Sequence, residues 1–234
     1  MNNKSIYEKI SNYYQDNYKN VIARTENALS IHRAENYKIL GWESREAQYK
    51  RFAVLAEHIN LDKKTLLDVG SGLGDLFHFL TQGLHWSVEY TGTDILPQMV
   101  LLAKNQAAQI GLPDGVNAKY EFLQTDIFEN KKELNILKDK TFEVVYTSGI
   151  FNLNFGNNEE FLKSSFERFA SIAEKYFVCS LLSDSSKNKE KEYFYYTKEI
   201  VLEAIKDVLL KYPSSNFKIV SDYLPNDMTV IWQK

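Results

Sequence analysis

The sequence is poor in the residues that build disulfide scaffolds, metal sites and flexible linkers. Its 234 residues include one cysteine, Cys179, with four histidines, four prolines and ten glycines. A lone cysteine cannot form an internal disulfide, and no Cys/His cluster indicates zinc, so no metal is expected. No apolar run approaches the roughly 18 residues that span a bilayer, and the first residues lack the apolar core of a signal peptide. These absences predict a cytoplasmic protein with no membrane partner.

The charge balance is slightly acidic, with 28 Lys and Arg against 31 Asp and Glu. Binding to a phosphate backbone depends on clustered Lys and Arg, so no nucleic-acid partner is expected. Aromatic residues are abundant, at 14% of the chain, and they cluster at Tyr13-Tyr14 and at residues 193–196. Two interpretations fit these clusters: a core rich in Tyr and Phe, or an aromatic-walled pocket for a small molecule.

From residue 65 onward, short β-rich segments alternate with helical ones. Strands are expected at residues 65–69, 88–93, 118–123, 142–147, 176–182, 217–221 and 228–232. The last two are joined by a short turn-rich segment, which predicts an antiparallel hairpin. The alternation predicts an α/β fold with a doubly wound, seven-stranded, mostly parallel sheet that binds its ligand at the carboxyl ends of the strands. Residues 1–60 are expected to form a helical cap, with helical segments at about residues 5–14 and 21–40, and residues 61–234 the main domain. Ser44 and Thr197 are expected to be helix N-caps, because Ser and Thr side chains accept backbone N–H groups at helix starts.

The most informative segment is LLDVGSGLGDL at residues 66–76, where a strand runs through Gly70, Gly72 and Gly74 into a helix. Glycine permits positive φ and a close approach of the backbone to a ligand, and the helix start presents unpaired N–H groups. A dinucleotide fingerprint would place its third glycine at position 75, which is Asp75. A P-loop would need Gly-Lys-Ser/Thr after the turn, and that is absent.

The G-x-G-x-G form, with Asp68 two residues before the first glycine, resembles motif I of the class I S-adenosylmethionine-dependent methyltransferases. The resemblance covers about residues 60–234. It extends to Asp94 in TGTDIL and to Asp126 in FLQTDIF, and FEVVYTSGIFNL at residues 142–153 is similar to the strand and loop that the family places beside the reacting methyl. The terminal hairpin fits the antiparallel seventh strand of that family. The resemblance implies S-adenosylmethionine (SAM) as cofactor and S-adenosylhomocysteine (SAH) as product.

The same resemblance implies a set of cofactor contacts. Asp94 would hold the ribose hydroxyls, since one carboxylate can accept from two vicinal hydroxyls, and Asp126 would lie near the adenine amino group. A cationic sulfonium favours carboxylates and aromatic faces over lysines. The other expected contacts are Asp68, Gly70, Ser71, Gly72, Gly74, Ile95, Ile127, Ser148, Gln48 and Arg51. Each acid could instead be a solvated loop residue, and Gln48 and Arg51 could be surface residues.

The sequence identifies no catalytic residue outright. Three candidates are weighed: His32 as a general base, and Asn152 and Asn154 as groups that orient a polar acceptor or simply form loop turns. The Asn/Asp-Pro-Pro-Tyr/Phe tetrad of the family's DNA and protein amide methyltransferases is absent from this loop. Substrate contacts are expected from Phe151, Asn152, Tyr14, Tyr195 and Tyr196.

The leading prediction is methyl transfer to an oxygen or nitrogen of a small polar metabolite, such as a sugar or a secondary-metabolite intermediate. The alternatives are a nicotinamide-dependent oxidoreductase and a catalytically inactive cofactor-binding partner subunit. The missing third glycine counts against the oxidoreductase. Either a monomer or a homodimer is compatible with the sequence.

Overall fold

A computed structural model describes residues 3–22, 35–128, 137 and 140–234 of the chain. In this part, strands form one sheet in the order β3-β2-β1-β4-β5-β7-β6. They are β1 Thr65–Val69, β2 Glu89–Asp94, β3 Lys119–Gln124, β4 Phe142–Ser148, β5 Ala173–Leu182, β6 Asn216–Val220 and β7 Asp227–Gln233. Strands β1 to β5 pair in parallel, and β7 is antiparallel to both β5 and β6. The predicted seven-stranded, mostly parallel sheet with an antiparallel terminal hairpin is confirmed.

Helices connect the strands and precede the sheet. They are α1 Asn3–Ile22, α2 Asn36–Ile39, α3 Arg45–His58, α4 Asp75–His78, α5 Pro97–Ile110, α6 Asn158–Ile172 and α7 Lys198–Lys211. The hydroxyls of Ser44 and Thr197 accept the N–H groups of Ala47 and Ile200, at 3.0 and 3.2 Å, so both residues are the N-caps that the sequence predicts. Asn157 stands at the N-cap of α6, but its side chain makes no capping hydrogen bond.

Both faces of the sheet are buried, which explains the continuous apolar segments in its central strands. In β1, Leu66 belongs to the core cluster that contains α3 to α5, and Leu67 belongs to the cluster on the opposite face. Much of the aromatic content fills these two cores. Trp232 of β7, for example, stacks on Phe177 of β5 with the ring centres 5.1 Å apart.

The N-terminal segment packs onto this sheet. Helix α1 is longer than the expected segment at residues 5–14, and the helical character expected over residues 21–40 is described only for its ends, since residues 23–34 lie outside the described part. Phe52 and Leu55 of α3 lie in the same buried cluster as Leu66. The division of the chain after residue 60 stays a prediction. Among the described helices, none is both long and apolar enough to cross a membrane.

Candidate active site

A cavity of about 490 Å³ lies at the carboxyl ends of β1, β2 and β4. Its volume is in the range of small-molecule sites. Strand β1 sits between β2 and β4, so the chain order of the strands reverses there and the connecting loops diverge. The cavity is therefore at the position where the doubly wound fold predicts a ligand.

The glycine-rich loop forms the floor of this cavity and is tied to the end of β2. The N–H groups of Gly70 and Ser71 both donate to the carbonyl of Thr93 at 2.8 Å. The N–H of Gly72 donates to Oδ2 of Asp94 at 3.0 Å. Gly70 and Gly72 have φ values of +73° and +54°, which side-chain-bearing residues rarely adopt. The expected contacts Gly70, Ser71 and Gly72 thus line the cavity beside Asp94.

Gly74 does not line the cavity, and its expected contact with the cofactor stays a prediction. It is the N-cap of α4 with φ +78°, and a Cβ atom there would lie 2.9 Å from Cζ of Phe122 in β3. Gly74 therefore allows the start of α4 to pack closely against the sheet.

Two carboxyl groups, those of the buried Asp68 and the half-buried Asp94, lie at the ends of neighbouring strands and line the cavity. Burial raises the pKa of Asp94 to about 6, although the N–H groups of Leu96 and Gly72 favour its ionised form. Burial also raises the pKa of Asp68 to about 7, and a hydrogen bond of 2.5 Å from the Tyr90 hydroxyl opposes the rise. A cationic ligand would stabilise the ionised form of both groups.

A second buried acid, Asp75, lines the cavity at the start of α4. It accepts hydrogen bonds from the side-chain amides of Asn36, at 2.8 Å, and Gln48, at 3.1 Å. Gln48 lines the cavity from α3, where the sequence predicts a polar contact to the cofactor. The lining position of Asp75 was missed by the sequence reasoning, although its place directly after the last glycine of the motif is a usable signal.

The remaining expected cofactor contacts follow the ends of β2, β3 and β4. Ile95, Asp126, Ile127 and Ser148 all line the cavity. Asp126 accepts the N–H of Phe128 at 2.8 Å, and the hydroxyl oxygens of Ser148 and Ser180 are 2.6 Å apart. The structure brings these side chains together, and their individual roles in binding stay predictions.

Arg51 does not line the cavity, and its expected contact with the cofactor carboxylate stays a prediction. Its Nη2 lies 2.5 Å from Oδ2 of Asp227, in an ion pair whose side chains are 6% and 1% exposed. Its Nη1 donates to the carbonyl of Ala47 at 2.8 Å, and the guanidinium lies 4.5 Å from the ring centre of Trp42. The arginine therefore links α3 to β7 inside the core.

Phe151 and Tyr196 are buried in the core and do not line the cavity, so their expected role in substrate binding stays a prediction. The Tyr196 hydroxyl donates to the carbonyl of Phe151 at 3.1 Å. The Phe151 ring packs against Phe161, with the ring centres 5.2 Å apart. Phe155 and Phe161 line the cavity in their place.

Asn152, Asn154 and Tyr195 also lie outside the cavity lining, whereas Tyr14 of α1 is part of it. Oδ1 of Asn154 accepts the N–H of Gly156 at 3.0 Å. This side chain therefore forms a loop turn, which is one of the two roles that the sequence allows for it. The Tyr195 hydroxyl accepts the N–H of Glu190 at 3.1 Å. His32 lies outside the described residues.

The charged lining of the cavity, within the described part of the chain, is acidic. It contains Asp68, Asp75, Asp94, Asp126 and Glu160 and no Lys, Arg or His. No group of three or more His, Cys, Asp or Glu in that part is arranged to hold a metal ion. The arrangement suits a ligand that carries positive charge and several hydroxyl or amino donors.

Comparison with known structures supports the same fold. Magnesium protoporphyrin IX methyltransferase from Synechocystis PCC 6803, with bound SAH, aligns with a TM-score of 0.62 at 12% identity, over 97% of this chain and 98% of that chain. Its SAM-bound form aligns at 14% identity with the same TM-score, over 100% and 98% of the two chains.

Two further structures show how varied the activities on this fold are. The small RNA methyltransferase HEN1 aligns with a TM-score of 0.60 at 16% identity, over 80% of this chain and 25% of that chain. The cyclase SpnF aligns with a TM-score of 0.56 at 14% identity, over 81% and 82% of the two chains. At these identities the likeness establishes the fold and leaves the acceptor open.

The sequence family is more specific than the fold. The comparison with curated proteins finds no match. A family model described as a methyltransferase domain matches residues 60–218, well over half of the chain and including the whole glycine-rich loop. The nicotinamide-dependent alternative has no support from this match. This chain belongs to the methyltransferase domain family, as an enzyme of the class I SAM-dependent type with SAM as its cofactor.

Proposed function

We propose that the protein transfers the methyl group of SAM to an oxygen or nitrogen of a small polar metabolite, in the cytoplasm. The observation that carries the proposal is the Asp94 carboxylate at the end of β2. The N–H groups of Gly72 and Leu96 hold it beside the glycine-rich loop. The acidic lining disfavours a nucleic acid as the acceptor, because its phosphates would be repelled. A sugar is a weaker candidate, because much of the cavity wall is apolar.

When bound, SAM would supply an electrophilic methyl group to a lone pair of the acceptor. The carbon–sulfur bond would break with its electrons staying on sulfur, which leaves SAH, and the O–H or N–H proton of the acceptor would pass to solvent. Residues of this chain position that reaction. Asp94 accepts from the ribose hydroxyls and Asp126 from the adenine amino group. Asp68 offers negative charge to the cationic end of the cofactor. The apolar walls exclude water and hold the acceptor near the methyl, which supplies most of the catalysis that such a displacement needs.

Replacement of Asp94 by alanine tests this proposal. The variant should bind SAM more weakly by about 1–3 kcal/mol, the scale of losing charge-assisted hydrogen bonds. Calorimetric titration measures the change, with Asp114→Ala as the control, since Asp114 is an exposed turn residue away from the cavity. Unchanged affinity in Asp94→Ala would remove Asp94 from the ribose role.

The affinity for SAM is expected to fall as the pH is lowered through about 7 and then about 6, the pKa values of Asp68 and Asp94 without ligand. The sulfonium favours ionised carboxylates, so binding lowers both pKa values and releases protons. As the pH falls below the ligand-free pKa of each carboxyl group, protonation of that group lowers the affinity for SAM by up to about tenfold per pH unit. Titrations in buffers of different ionisation enthalpy measure the released protons.

The control for this pH dependence is Asp68→Asn, which should remove the loss of affinity near about pH 7. The amino group of the ligand itself titrates near about pH 8 and is unaffected by the substitution, so the variant separates the two contributions. An affinity that stays constant from about pH 5 to about pH 7 would contradict the assignment of these carboxylates to a cationic ligand.

The inactive-subunit alternative is separated by two measurements on the same sample. Calorimetric titration with SAM, SAH and NADH establishes which cofactors bind. Release of SAH in the presence of candidate acceptors then establishes turnover. Binding of SAM with no turnover of any acceptor class would favour the inactive partner subunit, and binding of NADH alone would overturn the proposed function.

A further inference from the structure

Part of the cavity is lined by residues outside the expected cofactor contacts. Five apolar residues line it, and we call them the apolar wall: Ile10, Ile150, Leu153, Phe155 and Phe161. They come from three separate parts of the chain, namely helix α1, the loop after β4 and the first turn of α6. Side chains that fold together into one apolar surface, beside a polar cofactor region, form a second compartment for a ligand of different chemistry.

Hydrogen bonds hold the loop portion of the apolar wall in place. Oδ1 of Asn158, which is 1% exposed, accepts the N–H of Phe155 at 2.7 Å, and its Nδ2 donates to the carbonyl of Leu153 at 2.8 Å. The Phe155 and Phe161 rings meet edge to face, with their centres 6.4 Å apart. The wall is therefore preformed, so a ligand that packs on it pays little ordering entropy.

Helix α1 closes the wall from the other side. The hydroxyls of Tyr13 and Tyr193 are 2.7 Å apart, and Lys9 donates to the carbonyl of Asn154. These two bonds attach the helix to the loop after β4 and to the segment that precedes α7. They place Ile10 and Tyr14, which lie one helical turn apart on the same face of α1, against the cavity.

The charges around the cavity restrict the ligand further. Its described lining holds five carboxyl groups and no Lys, Arg or His. One cation, Lys9, lies near the wall, with its Nζ 5.9 Å from the centre of the Phe155 ring, but Lys9 is exposed and does not line the cavity. A bound cofactor neutralises part of this charge, and the excess that remains repels an anion.

We propose that the methyl acceptor is a small aromatic molecule, neutral or cationic, that lies with its ring system on the apolar wall, and that anionic molecules of the same shape are rejected. This inference rests on the proposed function and narrows its acceptor to a chemical class. Aromatic faces suit such a ligand because ring edges and cations are both attracted to them. The expected acceptors are therefore neutral phenols and aryl amines, and phosphorylated or carboxylate-rich metabolites are expected not to bind.

A matched pair of fluorescent probes tests the class directly. N-phenyl-1-naphthylamine is a neutral aryl amine, and 8-anilino-1-naphthalenesulfonate has the same ring skeleton with one sulfonate added. Both are titrated into the protein saturated with SAH, so that the cofactor region is filled. We expect the neutral probe to bind with roughly tenfold or higher affinity than the sulfonate, because the sulfonate meets like charges.

A charge variant sharpens the test. In Ile10→Lys a cation replaces one residue of the apolar wall, so the sulfonate should gain affinity and the neutral probe should lose it. The control is Leu101→Lys on α5, where the native side chain is 59% exposed and outside the cavity, and where neither affinity should change. Both positions lie on helices, and lysine is a good helix former, so both variants should fold.

Three results would overturn the inference. The first is no binding of the neutral probe to the SAH complex, and the second is equal or tighter binding of the sulfonate to the wild-type protein. The third is that each probe changes its affinity by the same amount in Ile10→Lys as in Leu101→Lys. Calorimetric titration with SAH, done without probe, is read separately. If SAH binds and the neutral probe does not, the acceptor class is wrong while the proposed function stands. If SAH does not bind, the proposed function itself fails.

Discussion

Gly72→Val is expected to remove SAM binding, with a loss of at least roughly 100-fold, or about 2.7 kcal/mol. Gly72 has φ +54°, and a left-handed conformation costs a side-chain-bearing residue about 1–2 kcal/mol. A Cβ atom at this position would lie 2.7 Å from Cδ2 of Leu40, which itself lines the cavity. Relief of this contact displaces the Leu40 side chain, and the added valine methyl groups lie in the cavity lining beside Asp94, so space for the cofactor is lost. Calorimetric titration with SAM measures the change.

Gly115→Val is the matched control for this substitution. Gly115 also has a positive φ, +81°, but a Cβ atom there would meet nothing within 4 Å. Both variants therefore carry similar backbone strain and should unfold at lower denaturant concentration than the wild type. Only Gly72→Val should lose SAM. A Gly72→Val protein that binds normally would mean that the glycine-rich loop does not face the cofactor.

Arg51→Met is expected to lower the free energy of unfolding by about 3–5 kcal/mol, because it leaves the Asp227 carboxylate buried without its partner. Burial raises the pKa of Asp227 and Arg51 opposes that rise, so the carboxyl becomes harder to ionise once the arginine is gone. Replacing both residues, as Arg51→Met with Asp227→Leu, should recover most of the loss. Denaturant unfolding of the single and double variants measures these energies.

The control is Arg45→Met, one turn and a half earlier on α3. Arg45 hydrogen-bonds the Tyr49 hydroxyl at 3.0 Å, and its attraction to the buried Asp75 carboxylate does not include a salt bridge, so its loss should cost less than about 1 kcal/mol. Under conditions in which the Arg51→Met variant is folded, its affinity for SAM should stay within a few fold of the wild-type value. A large loss of affinity at unchanged stability would restore Arg51 to the cofactor carboxylate, as the sequence predicts.

The sequence was sufficient for the fold because its signals are local. Alternation of short apolar strands with helices predicted the seven-stranded sheet, and the short turn at residues 222–227 predicted the hairpin. Ser44 and Thr197 were identifiable as N-caps, since a cap depends on a few neighbouring backbone groups. The glycine-rich loop and Asp94 were likewise identifiable, because a strand end and the turn that follows it are contiguous in the chain.

Helical and loop residues around the cavity were harder to assign. Gln48 and Arg51 are three residues apart on α3, and both looked able to reach a cofactor. The tertiary structure directs Gln48 to Asp75 and the cavity, and Arg51 to Asp227 in the core. Nothing local to α3 distinguishes them, because the deciding partner of Arg51 lies on β7, far along the chain.

The sequence by itself determined the fold class, the position of the cavity at the carboxyl ends of the strands, and three of the acidic groups that line it, Asp68, Asp94 and Asp126. Only the tertiary structure decided which aromatic residues line the cavity: Phe151 turns into the core and Phe155 into the pocket, although both belong to the same loop. The physical reason is that strand and turn signals depend on neighbouring residues, whereas the direction of a loop side chain depends on what packs beneath it. In this protein that packing is supplied by α6 and by the segment before α7.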